Sequence, residues 1–291
     1  QSKNVQAETG YEVRGRIDVD SRTPTSMGAA RTFVRLRAAN TSGIRNTTIT
    51  DKGSYGQSDA SATAIAIESA MVQWAGFTFG IGPENYAMMP SFILNANPWA
   101  GFPNGMKQIS YTASLGGGLS ATIALEDRKD FGYDQTAIDQ PQTAANLVAN
   151  IRMDQAWGFA AVHAMVGNNS INKSSVDGGV GQKTYAGYGV GATVSYKLPM
   201  IAAGDQVWFS ANYADGMIGA LLGGSGLSNL STAAMHRLIG GVLRVDTNVV
   251  QTNAVTTYSA AAPATYDTTT GWNVNMAYTH YWAPQWRSNF S

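Results

Sequence analysis

The chain has 291 residues, of which 44% are hydrophobic and 13% charged, with 32 Gly, no Cys and a formal net charge of zero. Its charge density is about half the ~25% usual in soluble domains. The lack of Cys excludes a disulfide scaffold and a thiolate metal site, and the neutral balance leaves no electrostatic footprint for nucleic acid. No run approaches the ~18–20 apolar residues of a membrane-spanning helix. The polar opening Gln1-Ser2-Lys3-Asn4 does not read as a signal peptide, so either a mature chain or part of a longer one is expected.

Twelve segments place an apolar residue at every second position: 9–20, 28–39, 62–73, 76–83, 106–115, 118–127, 144–153, 157–166, 185–198, 205–214, 268–280 and 285–291. In the first, Tyr11, Val13, Ile17 and Val19 oppose Glu12, Arg14, Arg16, Asp18 and Asp20. In the second, Val34, Leu36 and Ala38 oppose Arg31, Phe33, Arg35 and Arg37. Later segments repeat the pattern, as Leu119, Ala121, Ile123 and Leu125 do against Ser120, Thr122, Ala124 and Glu126. This period of two predicts β-strands throughout. Residues 238–250 are also strand-like, but counting them would move the short 282–285 turn to the wrong end, so they are expected to lie within a long loop.

The breaks between strands alternate in length. Short ones fall at 74–76, 115–118, 154–156 and 282–285, and long ones at 40–61, 83–105, 127–143, 167–185 and 215–237. Tight turns at one end and long loops at the other are the plan of an outer-membrane β-barrel. Trp74, Trp157, Trp282 and Trp286 all flank short turns, where an aromatic ring can meet lipid while its N–H stays wet. Burying Arg14, Arg16, Arg35 and Arg37 in a dry core would cost several kcal/mol each, so their face must be solvated. A soluble sandwich with turn-flanking hydrophobes is the plainer alternative.

Residues 83–105 contain four prolines yet carry Phe92, Ile93, Leu94, Trp99 and Phe102. A loop of more than ~15 residues without regular structure is usually functional or disordered, and one so apolar is expected to fold against an inner wall or a neighbouring subunit. Arg14, Arg16, Arg35 and Arg37 would form a positive wall, opposed by Glu12, Asp18, Glu68 and Glu84, with Tyr86 and Trp99 on the constricting segment. Walls of fixed charge tune which ions pass. Intrastrand pairing of the arginines with Glu12, Asp18 and Asp20 on the same face is the plainer alternative, expected in part, and both can hold together. Glycine-rich 187–191 lies in a strand and lacks the following helix that phosphate binding needs, so it is expected to leave its inward face free of bulk. No catalytic spacing, cofactor or metal motif is present. An outer-membrane barrel enzyme using His163, His236 or His280 and a soluble β adhesin are the competing readings.

The block 63–84 with the loop after it, then Lys107-Gln108-Ile109-Ser110-Tyr111-Thr112 and Gly118-Leu119-Ser120-Ala121-Thr122-Ile123-Ala124-Leu125-Glu126, resembles the general porins of alpha-proteobacteria. Asn212-Tyr213-Ala214-Asp215-Gly216 and Ala277-Tyr278-Thr279-His280-Tyr281-Trp282-Ala283-Pro284 carry the same resemblance. It implies an all-β protein, a transmembrane antiparallel barrel of the sixteen-stranded type. It also implies a single domain, a bacterial outer-membrane location, contact with lipid bilayer and lipopolysaccharide, and a homotrimer that passes ions and small hydrophilic solutes by diffusion. The family's third loop folds into the pore, which assigns 83–105 as the constriction. Against that pattern the chain is expected to lack a first strand and about three last ones, and Glu84 is the constriction loop's only carboxylate.

Overall fold

The computed structural model describes residues 11–41, 62–90, 106–127, 144–172, 182–217, 221, 242–244, 265–267 and 270–290. They fall in two compact units, Gln1–Gly82 and Pro83–Ser291. The first is an antiparallel meander of β1 (Glu12–Thr25), β2 (Gly28–Thr41), β3 (Ala62–Trp74) and β4 (Phe77–Gly82). Ala75 (φ 50) and Gly76 (φ 86) close the β3–β4 hairpin. Two positive φ values are what a two-residue type I′ turn requires.

The second unit contains β5 (Met106–Gly116), β6 (Leu119–Glu126), β7 (Asn146–Gln155), β8 (Gly158–Asn172), β9 (Gln182–Lys197) and β10 (Gln206–Asp215). Then come β11 (Val242–Arg244), β12 (Thr265–Asp267), β13 (Thr270–Ala283) and β14 (Trp286–Phe290). β5 to β10, β13 and β14 pair in that order, each antiparallel to the next. β10 pairs directly with β13, and β11 and β12 form a separate three-residue parallel ladder. Val242–Arg244 therefore adds no wall strand, as the turn parity requires.

All twelve expected strands are present, with two substantial differences in extent: β1 continues to Thr25, five residues past its expected end, and β8 and β9 outrun theirs. The β8–β9 ladder continues to Asn172↔Gln182, so most of the expected 167–185 loop is paired strand. Apolar alternation stops near Val166, but backbone pairing needs no apolar side chains. The pattern marks where the strand leaves its apolar surroundings, not where it ends.

The polarity of the sheet is reversed relative to a soluble protein. In the second unit the buried face carries Gln108, Thr122, Asn150, His163, Ser195 and Ser210, whereas Ile109, Ile123, Ile151, Val162, Val194 and Phe209 are exposed. Exposed aromatic residues bracket this apolar face. Trp282 and Trp286 are exposed at the short-turn end, where Trp157 stacks on Tyr196 at 6.0 Å between centroids. Tyr188, Tyr213 and Trp272 form a second group at the long-loop end. Tyr188 and Tyr196 are separated on one strand by about 26 Å at ~3.3 Å per residue, or about 20 Å along the axis of a barrel whose strands tilt ~35–45°. That approaches the ~25 Å apolar band of outer-membrane barrels.

At the short-turn end, Asp205 joins the β9–β10 turn to β13. Its Oδ2 accepts from Tyr278 Oη at 2.6 Å and lies 2.8 Å from His280 Nδ1, while Oδ1 accepts from the Tyr281 N–H at 2.8 Å. Burial pushes this carboxyl up, but the bonds from Tyr278, Tyr281 and His280 outweigh it and leave its pKa below the usual 3.8. A depressed folded pKa means that the stabilisation is complete above the unfolded value and is lost as pH falls through the folded one. Asp205→Asn should therefore lower the unfolding temperature at neutral pH and flatten its decline below about pH 4, read by thermal melts in detergent across pH.

A second prediction tests the exposed face. Ala192→Arg, midway between Tyr188 and Tyr196, should destabilise the vesicle-inserted protein by about 2–4 kcal/mol, and Tyr196→Arg by about 0–1 kcal/mol. Denaturant unfolding from lipid vesicles reads the difference. Equal, small costs would mean that this face meets water.

Candidate functional site

The charged strip of the first unit is built by strand register. Arg16 stands directly opposite Arg37, Asp18 opposite Arg35, and Arg22 opposite Arg31. Two guanidiniums face to face are unfavourable unless an anion intervenes, and β3 supplies one. Glu68 Oε2 accepts from Arg16 Nε at 2.7 Å, and Oε1 accepts from Arg37 Nη1 at 3.1 Å.

Glu68 reaches this position through a β-bulge. Arg35 pairs with Ser69 and Leu36 with Ile67, so Glu68 is the extra residue. A bulge lets two successive residues share one face. Accordingly Ile65 and Ile67 are exposed before it and Val72 and Trp74 after it, with the phase of the alternation shifted by one. The bulge was not foreseen, although that phase shift is visible in the sequence.

The remaining charges pair in a row. Arg35 holds Asp18 in a two-pronged contact at 2.8 and 2.6 Å. Arg31 holds Asp20 at 3.0 and 2.9 Å and also donates to Gln73 Oε1 at 3.0 Å. Phe33 lies between them, with Arg31 Cζ 5.1 Å and Arg35 Cζ 5.5 Å from its ring centroid. The arginines therefore pair with Asp18, Asp20 and Glu68 chiefly across neighbouring strands, and only Arg22 and Asp20, 3.4 Å apart, pair within one strand as expected. Arg14 is opposite Ala39. Glu12 lies in β1 opposite Thr41, but its side chain is outside the described residues. Arg14, Arg16, Arg22, Arg31, Arg35 and Arg37 outnumber the three described carboxylates, and the strip stays positive.

In the second unit, the first part of the expected constriction, residues 83–90, lies across the polar faces of β5 to β8. Glu126 Oε1 accepts from the Asn85 N–H at 2.7 Å and from Asn85 Nδ2 at 2.8 Å. Asn85 Nδ2 also donates to Gln108 Oε1 at 2.7 Å, and Gln108 Nε2 returns a bond to the Pro83 carbonyl. Asn150 Nδ2 donates to the Asn85 carbonyl at 2.8 Å. Tyr86 is 1% exposed and meets the His163 ring edge-on at 4.6 Å. Burial, and then the charge of Glu84, raises the Tyr86 phenol above its ordinary range, so it stays neutral. Glu84 is itself buried. Trp99 lies outside the described residues.

Gln108, Glu126, Asn150 and His163 receive the segment; the sequence places Glu126 on a polar strand face and His163 in a strand, but does not mark any of the four as a contact for residues 83–90. Each is an ordinary polar member of an alternating strand, and nothing local distinguishes it from its neighbours. Glu126 Oε2, both amide atoms of Asn146, Tyr86 Oη and His163 Nδ1 are also buried without a protein partner among the described residues. So much unspent polarity is too costly for a dry core. The wall is wet.

A family match over almost the whole chain agrees with this geometry. The family described as Porin subfamily matches residues 1–289. Porin Omp2b of Brucella canis is 31% identical over 159 residues, covering 51% of this chain and 41% of that protein. Porin Omp2b of Brucella suis biovar 1 and of Brucella melitensis biotype 1 match with the same identity and coverage, so the chain spans about two-fifths of the curated relatives it matches. The outer membrane channel DcaP of Acinetobacter baumannii is similar with a TM-score of 0.46 and 17% identity, over 74% of this chain and 66% of that one. The enzyme alternative is set aside by the family match, which runs through almost the whole sequence. The chain belongs to the porin subfamily, and its strands are those of a bacterial outer-membrane β-barrel.

Proposed function

We propose that the chain forms the wall of a water-filled outer-membrane channel through which ions and small hydrophilic solutes diffuse passively. One observation carries the reading: the strands of the second unit bury their polar face and expose their apolar one, and residues 83–90 lie hydrogen-bonded across the polar face. A channel needs that polarity, whereas a soluble adhesin needs the opposite. Within this reading the chain belongs to one barrel domain of the sixteen-stranded type and supplies about twelve of its strands. Segment 83–105 is its constriction, and Glu84, Tyr86 and Trp99 belong to that segment. The assembly is a homotrimer in contact with lipid and lipopolysaccharide, as the family resemblance implies.

The arginine strip sets the charge of the path. Arg16 and Arg37 share the one carboxylate of Glu68, so neutralising both uncovers a negative group as well as removing two positive ones. Two-pronged contacts tie up Asp18 and Asp20, leaving the net field of the strip positive and favouring anions.

Purified full-length protein should require detergent to stay monodisperse and should open ohmic channels in planar bilayers. A monodisperse preparation in plain buffer that opens none would refute the proposal. Replacing Arg14, Arg16, Arg35 and Arg37 together with Gln should move the reversal potential in a salt gradient toward cation preference. An unchanged potential would mean that these arginines do not line the narrow part of the path.

A further inference from the structure

A second stretch of chain reaches the polar wall beside Tyr86. After β10 the backbone turns at Gly216 (φ 68), and Met217 is buried. Absent side chains make the room. A Cβ on Gly187 would stand 2.4 Å from the Gly216 carbonyl oxygen and 2.9 Å from Met217 Cγ, and one on Gly167 would stand 3.3 Å from Met217 Cε. Gly167 and Gly187 are register partners on β8 and β9, so together they form a recess in the polar face that receives Met217. This gives the glycine-rich 187–191 stretch a use that phosphate binding could not. Leu221 is also fully buried, and its carbonyl accepts from Asn273 Nδ2 at 2.6 Å. Asn273 is held in turn by Asn212 Nδ2, which donates to its Oδ1 at 2.9 Å.

Met217 and Leu221 share one apolar cluster with Tyr86, Met106, Val148 and Met165, and Ala87 packs against it. Met106, Val148 and Met165 are apolar residues on an otherwise polar, wet face. Such residues are stable there only when chain covers them. Tyr86 comes from the 83–90 segment, and Met217 and Leu221 come from beyond β10. Donation from Gln108 and Asn150, and acceptance by Glu126, fix the start of 83–90 at Pro83 and Asn85. Past that point, the cluster provides the packing.

We infer that Gly216, Met217 and Leu221 form a second inward-folded element that braces the constricting segment, making Met217, Leu221 and Asn273 positioning residues for solute passage. The inference rests on the diffusion-channel reading above. Without the brace the 83–90 segment keeps its anchor at Asn85 but loses the packing around Tyr86, so the opening fluctuates and its mean width grows.

The test compares full-length wild type with Leu221→Ser and Asn273→Leu in planar bilayers and in liposome swelling with neutral sugars of increasing size. Both variants should keep the heat-dependent gel migration of a folded barrel, show several-fold more open-channel noise and sub-state switching, and admit larger sugars. Unchanged noise and an unchanged size limit in folded variants would overturn the inference. A second measurement applies even where a variant folds poorly. The chain has no Cys, so a Met217→Cys thiol would be its only one. It should react with a water-soluble maleimide at least tenfold more slowly than an Ala203→Cys thiol in the exposed β9–β10 turn, and equal rates would overturn the inference. Wild type that opens no channels would defeat the diffusion-channel reading itself, and this inference with it.

Discussion

Each strand has to satisfy two different surroundings with one backbone, and the remaining features follow from that demand. Every backbone N–H and C=O at membrane depth needs a partner, and the antiparallel ladders supply them. Side chains alternate by the geometry of the strand, so one face is assigned to lipid and the other to water along the whole length. A register slip of one residue would exchange the two faces. This is why the alternation is so regular, and why the bulge at Glu68 stands out. Its extra residue exchanges the odd for the even phase partway along β3 and places a carboxylate between Arg16 and Arg37.

The inward face uses polar residues in two ways. In the first unit the charged groups are partly exposed: the side chains of Arg16 and Asp18 are 45% and 44% accessible. Exposed ion pairs contribute little to stability, because water already solvates each partner. Their value is positional, since two-pronged pairing holds each guanidinium in one orientation while the excess of arginine keeps the surface positive. In the second unit the polar groups are buried and hold chain. Glu126 is fully buried and gives one oxygen to both the backbone and the side chain of Asn85. A hydrogen bond in such a setting is electrostatically stronger than one in water. Leaving it unmade would strand the carboxylate, so the geometry of residues 83–86 is tightly specified.

Much of this was legible in the sequence, and the boundary of legibility has a physical origin. Strand positions, turn parity and the wet arginine face follow from period-two alternation, which is a local property. The placement of Val242–Arg244 outside the wall followed from parity alone. The ends of β8 and β9 were not legible, because Asn168 to Asn172 pair through backbone atoms that carry no hydrophobic signal. The second aromatic group was missed for a different reason: Tyr188, Tyr213 and Trp272 do not flank short turns, and only the register aligns them. The receiving residues Gln108, Glu126, Asn150 and His163 come from four different strands. Their relation exists only once those strands lie side by side, so no spacing could announce it.

The small residues of β9 show how a local signal can be read correctly and still say less than it contains. Gly187, Gly189 and Gly191 alternate with Tyr188 and Val190, so glycine occupies the inward face where side chains would otherwise stand. At Gly191 an added Cβ would meet Asn212 Oδ1 at 2.1 Å and His163 Cε1 at 2.4 Å. At Gly187 it would meet the backbone that carries Met217. The two positions therefore make room for different contacts. One allows polar groups of β8 and β10 to approach across β9, where His163, Thr193 and Ser210 form a chain of contacts at 3.3 and 3.0 Å. The other admits an apolar side chain from outside the sheet. A bulky residue at either site would fill the wall itself, and the wall could then no longer seat the segment that crosses it. Glycine thus serves here less to free the backbone than to turn a flat polar wall into one with a recess, and that recess is what lets a loop residue be buried on a face that is otherwise wet.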